Sequence, residues 1–177
     1  MKQLMQTLTV FLAAAGMIMT PVLLQADDMN DNASQNLAQA ESLARTVRRY
    51  AGTLQTFLRT PDLFTGTIHK RKLAVIKENT NDLGDIIQKL HNSRGELKQW
   101  QVQLVDRVLP RMDALTTDIG NAIRFIDEKP EADFTPTYED YIDGIYNQSD
   151  SIVTTVDRYL DWANARQAKM ELQAAAK

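Results

Sequence analysis

Cysteine is absent from this chain. That removes disulfides, thiol catalysis, thiolate metal sites and covalent c-type haem attachment together. Histidine is nearly absent: His69 and His91 are the two, and they stand 91 − 69 = 22 residues apart. That is about six helical turns, so they cannot share a metal within one helix. No Glu-x-x-His pair occurs, which di-metal carboxylate bundles require. Also missing are G-x-S-x-G, a P-loop and G-x-G-x-x-G. No catalytic, metal-binding or cofactor-binding residue is expected, and the chain is not read as an enzyme. Net charge is small, −3, so bulk charge does not point to a polyanion, and nucleic acid is not an expected partner.

Long apolar runs are also missing, except at the start. After Met-Lys-Gln comes LMQTLTVFLAAAGMIMTPVLL, then Gln-Ala before two aspartates. A basic start, an apolar centre and a small residue before an acidic stretch read as a secretory signal peptide, residues 1–26, cleaved after Ala26. Leu24 at the −3 position is a less usual choice than alanine. The alternative is an uncleaved anchor. The run is about long enough to span a bilayer, but Gln6, Thr7, Thr9 and Pro21 weaken it. With no cysteine after it, a lipoprotein anchor is excluded. Without the segment's single lysine the remainder carries −3 − 1 = −4. The expected location is the periplasm or the outside of a bacterium, with no stable membrane span after cleavage.

What the rest of the chain has is heptad patterning. Leu37, Ala40, Ala44, Val47, Ala51, Leu54 and Leu58 are spaced alternately three and four apart, a coiled-coil-like seam. Leu73, Ile76, Thr80, Leu83, Ile87 and Leu90 repeat the pattern. A third stripe runs from Leu97 and Trp100 through Leu104, Val108, Met112, Leu115, Ile119 and Ala122 to Ile126. Its run of fours is a stutter around Pro110, and a kinked but continuous helix is expected there. Tyr138, Ile142, Ile145, Ser149, Ile152, Val156, Tyr159 and Ala163 form the fourth.

Helix punctuation surrounds these stripes. Ser93 with Glu96 reads as a capping box. Thr60-Pro61 and Thr135-Pro136 read as starts, and Lys129-Pro130 as a stop. Helices are expected over about 32–59, 66–92, 94–129 and 136–172. Their short connections make neighbours antiparallel. The fold class is all-α: an up-down-up-down four-helix bundle over residues 27–177. Helices three and four read as the longer pair, about 36 residues against 27. Their shared hairpin would overhang by ~13 Å. Trp100 and Trp162 fall at one level near the opposite end.

Two surfaces stand out. One is the basic run His69, Lys70, Arg71 and Lys72 at the start of helix two. Pairing about a turn near residue 93 sets it level with residues 114–117 and 148–151, near Asp113, Asp118, Asp143 and Asp150. Charge runs are usually solvated faces, so the expected role is intramolecular neutralisation. The functional reading is a surface for anionic headgroups, acidic envelope polymers or an acidic protein. The other surface is the acidic, aromatic tip, with Glu131, Asp133, Phe134 and Tyr141 as candidates. There Tyr141 and Tyr146 are either exposed binding residues or a small capping core. Gly52, Gly84, Gly120 and Gly144 place one glycine inside each helix, each costing about 1 kcal/mol against alanine. Close approach by a partner would explain them; simple tolerance would too.

The stretches NTNDLGDIIQKLH, WQVQLVDRVLP and YEDYIDGIYNQSDSIVTTVDRYLDW resemble small exported helical-bundle proteins of bacteria. The resemblance implies the architecture and no activity. Periplasmic helical chaperones and chemoreceptor sensing bundles are similar in architecture only. No second apolar run or signalling region follows, so a complete receptor is not expected. Three functions remain open. The first is a non-enzymatic binding or adaptor module for an envelope protein or anionic surface, as a monomer or weak dimer. The second is a holdase-like chaperone. The third is a small-molecule or haem-binding bundle, in which His91 would face Met29 or Met170. Strict seams in helices one and two argue for a filled core. Thr80 and Ser149, at seam positions, either line a pocket or bond to backbone.

Overall fold

The computed structural model describes residues 22–60, 66–129 and 135–176, with side chains described from Asn32 onward. Most of the expected signal segment, the candidates Glu131, Asp133 and Phe134, and Pro61 and Pro130 lie outside the described residues. Four helices make up nearly all of the rest: α1 Val22–Leu58, α2 Gly66–Asn92, α3 Gln99–Glu128 and α4 Pro136–Ala175. A 3₁₀ turn, Arg94–Glu96, joins α2 to α3, and no strand occurs among the described residues. Each helix packs on its chain neighbours, and α4 closes back onto α1. The fold is an all-α four-helix bundle. No described helix is long and apolar enough to cross a membrane.

The heptad seams become the core. Leu37, Leu54, Leu73, Ile76, Leu83, Leu104, Leu115, Ile142, Ile145 and Ile152 are fully buried. Each such side chain contributes about 1.5–3 kcal/mol relative to exposure. The α1 seam is narrow, because Ala40, Ala44 and Ala51 alternate with larger residues and are fully buried. Small side chains there accept the bulky Ile and Leu residues of the other helices, as close packing demands. Pro110 sits inside α3, which runs on unbroken through it. The proline is exposed, so its missing donor falls on the solvent side of the helix.

The α2–α3 turn differs from the expected one. Ser93 makes no side-chain cap bond; it heads the 3₁₀ turn, with Glu96 N donating to Ser93 O at 2.9 Å. The α-helix proper begins later, where Gln101 Oε1 accepts from Lys98 N at 2.8 Å. Arg94 then forks onto Asp106 at 2.5 and 2.7 Å and pins the turn to α3.

Moving the turn moves the register. Lys70 Nζ meets Asp127 Oδ1 at 2.6 Å, not residues 114–117. The basic run therefore lies level with the tip between α3 and α4. Asp150 and Asp143 instead face α1, on Arg48 at 2.8 Å and Gln55 at 2.7 Å. The long helices are α1, 37 residues, and α4, 40 residues; α2 has 27 and α3 has 30. Among the described residues the α3–α4 pair does not overhang at the tip, because the start of α2 reaches Tyr138. The ends that run past the α2–α3 turn are the first turns of α1 and the last of α4. Trp100 and Trp162 meet at that end as expected, ring centroids 6.5 Å apart and edge-on.

Candidate binding surface on helices one and two

The basic run does not converge. One turn of helix fans its side chains around the axis, and the four residues go four ways. His69 points inward and is fully buried, its Nδ1 2.9 Å from the Tyr138 hydroxyl. The rings of Phe57 and Tyr138 flank it at 6.1 and 5.7 Å. Burial, helped by the nearby Lys72 charge, lowers its pKa to about 4. A neutral imidazole is therefore a core residue here, not part of a cationic grip. Lys70 is taken by Asp127. Arg71 is exposed. Lys72 lies along the aromatic surface of α1, its Nζ 5.2 Å from the Tyr50 centroid and 5.6 Å from that of Phe57.

Tyr50 carries a second cation. The Arg49 guanidinium stands 5.3 Å from the same ring. Ring faces attract cations through their quadrupole, by about 0.5–1 kcal/mol at exposed sites. This is a different arrangement from the rest of the basic residues on α1. Arg45 bonds Glu41 and Asp157, and Arg48 bonds Asp150. These bonds raise the pKa of Arg45, with Glu41 the larger cause. Arg49 and Lys72 have no carboxylate in ion-pair reach among the described residues. With Arg71 and Arg59 nearby in sequence and exposed, they leave a cationic, aromatic-backed patch where α1 and α2 meet. Ile68, 37% exposed, adjoins it on α2.

The candidates at the tip part company. Tyr141 is half-buried and packed on the core, as is Tyr146. Tyr138 is fully buried, and Phe125 stacks on it at 5.2 Å. The part of the tip that is described thus reads as a capping core. Burial pushes the Tyr138 pKa up, so the phenol keeps its proton.

Two residues were not legible from pattern. Gln101 is fully buried with its amide nitrogen unpartnered; its cue was its place at the third position of α3, where a side chain can reach back to the cap. The Tyr50–Lys72 contact joins residues 22 apart in sequence, and no local spacing signals it. Ser149 bonds backbone, donating to Ile145 O at 2.8 Å and Tyr146 O at 2.9 Å. Thr80 does not bond backbone: its hydroxyl is buried with no partner. At the far end α4 leaves Trp162 46%, Met170 54% and Leu172 73% exposed. Groups of three or more residues able to hold a metal are absent among the described residues. Comparison with protein-family models, with curated proteins and with solved structures gave no match to this chain.

Proposed function

We propose that this is an exported, non-enzymatic binding module that holds an acidic protein partner on the α1–α2 face. One observation carries the reading. Arg49 and Lys72 share the Tyr50 ring and meet no carboxylate among the described residues, while Arg45, Arg48 and Lys70 are neutralised within the bundle. Cations held on a ring are partly ordered in advance, so an incoming carboxylate orders fewer rotamers. Aromatic and arginine residues are the types that dominate binding surfaces. The filled seams favour binding on the outside over carriage in the interior. The signal-like residues 1–26 support a location in the bacterial envelope or beyond it.

Crosslinking in the native envelope tests this. Wild type and the Arg49→Gln/Arg71→Gln/Lys72→Gln variant would be compared. Loss of a defined crosslinked protein in the variant, with unchanged helicity, is expected. The same crosslinks in both would sink the reading. Charge-dependent binding to anionic vesicles, with no protein crosslink, would replace the partner by a lipid surface.

A second reading draws on the exposed Trp162, Met170 and Leu172 of α4. Exposed apolar side chains gathered at one helix end suit a holdase. Stoichiometric suppression of client aggregation, lost in Trp162→Gln/Met170→Gln/Leu172→Gln, would favour it over the adaptor.

A further inference from the structure

The third side of the bundle, between α2 and α3, carries a groove of about 470 Å³. Its size is within the range of small-molecule sites. The floor is apolar, made by Ile87, Leu109 and Met112. Asp85 stands on one wall and Asp113 on the other. The register places them across from each other, since Gly84 faces the Met112 methyl. Neither aspartate has a cation in ion-pair reach among the described residues, and no lysine or arginine lines the groove. Its other polar groups, from Asn81, Gln88 and Thr116, can all accept hydrogen bonds.

Thr80 is the independent sign that something is missing. It lines this groove and is 4% exposed, and its hydroxyl has no hydrogen-bond partner. Helical threonines normally return the hydroxyl to the carbonyl four residues back. Thr46, Thr53, Thr56, Thr117 and Thr155 all do so here, at 2.7 to 3.0 Å. Thr80, buried in the middle of α2, leaves that bond unmade. Gly84 adds to the picture. A Cβ there would meet only the Met112 methyl, at an ordinary 3.8 Å, so crowding does not require glycine. Methionine has three rotatable bonds and repacks readily, so a rotamer change would open the Thr80 hydroxyl to a ligand.

We infer that the α2–α3 groove binds a small aliphatic diamine, one ammonium group at Asp85 and the other at Asp113, with its methylene chain laid across Ile87, Leu109 and Met112. The amine would donate to the Thr80 hydroxyl, which has acceptor capacity to spare. An apolar floor between two separated carboxylates suits an organic cation better than Mg²⁺, which demands close octahedral oxygens. The site lies on the neighbouring side of the bundle, further along α2 from the cationic patch, and shares none of its residues.

The test uses 1,4-diaminobutane as the probe on the folded chain, followed by NMR through the Met112 methyl and the Gly84 amide. Saturable shifts of both signals in the millimolar range are expected, with butane-1,4-diol and MgCl₂ producing none. Asp85→Asn/Asp113→Asn should weaken binding by about tenfold, given two exposed charge contacts. Thr80→Val should weaken it as well while melting no lower than wild type, because valine removes an unsatisfied hydroxyl at nearly constant shape. That pairing separates a binding role from a folding role. Absence of saturable shifts, equal shifts with the diol, saturation by MgCl₂, or binding unchanged in the Asp85→Asn/Asp113→Asn variant would each overturn the inference.

Discussion

The imidazole Nδ1 of His69 and the hydroxyl of Tyr138 lie 2.9 Å apart, and both residues are fully buried. The contact ties the first turn of α2 to the first turn of α4 across the bundle. It also makes the protein's acid response predictable. Burial lowers the His69 pKa from 6.5 to about 4. The unfolded chain therefore takes up a proton near pH 6.5 that the folded chain refuses until about pH 4. Stability from this group is complete above pH 6.5 and is lost as pH falls from there towards 4. Between pH 7 and pH 5 the loss should be about 2 kcal/mol, at 1.36 kcal/mol per unit. Urea unfolding at the two pH values reads it. In His69→Phe this part of the pH dependence should vanish, and an unchanged slope would show that His69 is not its source.

Gly144 and Asp118 define a second dependency. A Cβ on Gly144 would land on the Asp118 carboxylate, while one on Gly120 would meet nothing within 4 Å. Helix propensity alone favours alanine at both by about 1 kcal/mol. Gly120→Ala should therefore stabilise by up to about 1 kcal/mol. Gly144→Ala should instead lose that gain, because the half-exposed Asp118 carboxylate must first swing away. Adding Asp118→Ala should restore most of that loss. Thermal melts of the four variants complete a double-mutant cycle; additivity would refute the clash.

Asp118 itself has its pKa raised by burial. A carboxylate whose folded pKa lies above its unfolded one costs stability once ionised, so its contribution improves as pH falls. Asp118→Asn should raise the melting temperature at pH 7 and flatten this opposing trend. A lower melting temperature at pH 7 would mean that the carboxylate has a stabilising partner.

Both tryptophans of the chain lie at the end of the bundle away from His69. Acidification to pH 5 should leave tryptophan emission unchanged while amide exchange rises over the start of α2 and of α4. Simultaneous change at both ends would indicate one cooperative transition instead. Trp162→Ala should cost about 1 kcal/mol, since the ring is nearly half exposed and its main partner is Trp100. Chemical denaturation measures it.

A core prediction checks the seams. Leu115 is fully buried on α3. Leu115→Ala should cost ~2–5 kcal/mol through lost transfer energy and the cavity left behind. Leu58→Ala, at the half-buried end of the α1 seam, should cost less than half as much. Equal losses would contradict the burial pattern.

The four stripes, the all-α class and the ring of antiparallel neighbours were legible in the sequence. The reason is that burial in a bundle follows local periodicity: Leu37 to Leu54, Leu73 to Leu90 and Leu104 to Ile126 each lie within one helix. The tryptophan pair was legible for the same reason, because it sits one short hairpin away. Register was not. Ser93 and Glu96 offer a plausible helix start, yet the Arg94–Asp106 fork and the Gln101 cap draw the start of α3 on to Gln99. A turn longer by a few residues slides one helix past another by several turns' worth of facing positions. With that slide the basic run passed from the mid-bundle aspartates to Asp127 and Tyr138.

Sequence alone therefore determined most of the core, because amphipathic periodicity is a property of each helix by itself; Gln101, Val105 and Val153 joined it from outside the seams. Tertiary structure alone decided which side chains meet across helices. It buried His69 on Tyr138 while its neighbour Lys72 reached the Tyr50 ring. It set Asp118 against Gly144 and left the Thr80 hydroxyl without a partner. Those outcomes depend on axial register and on rotamer choice in a shared interior. Both are settled by close packing between helices, which no spacing along the chain encodes.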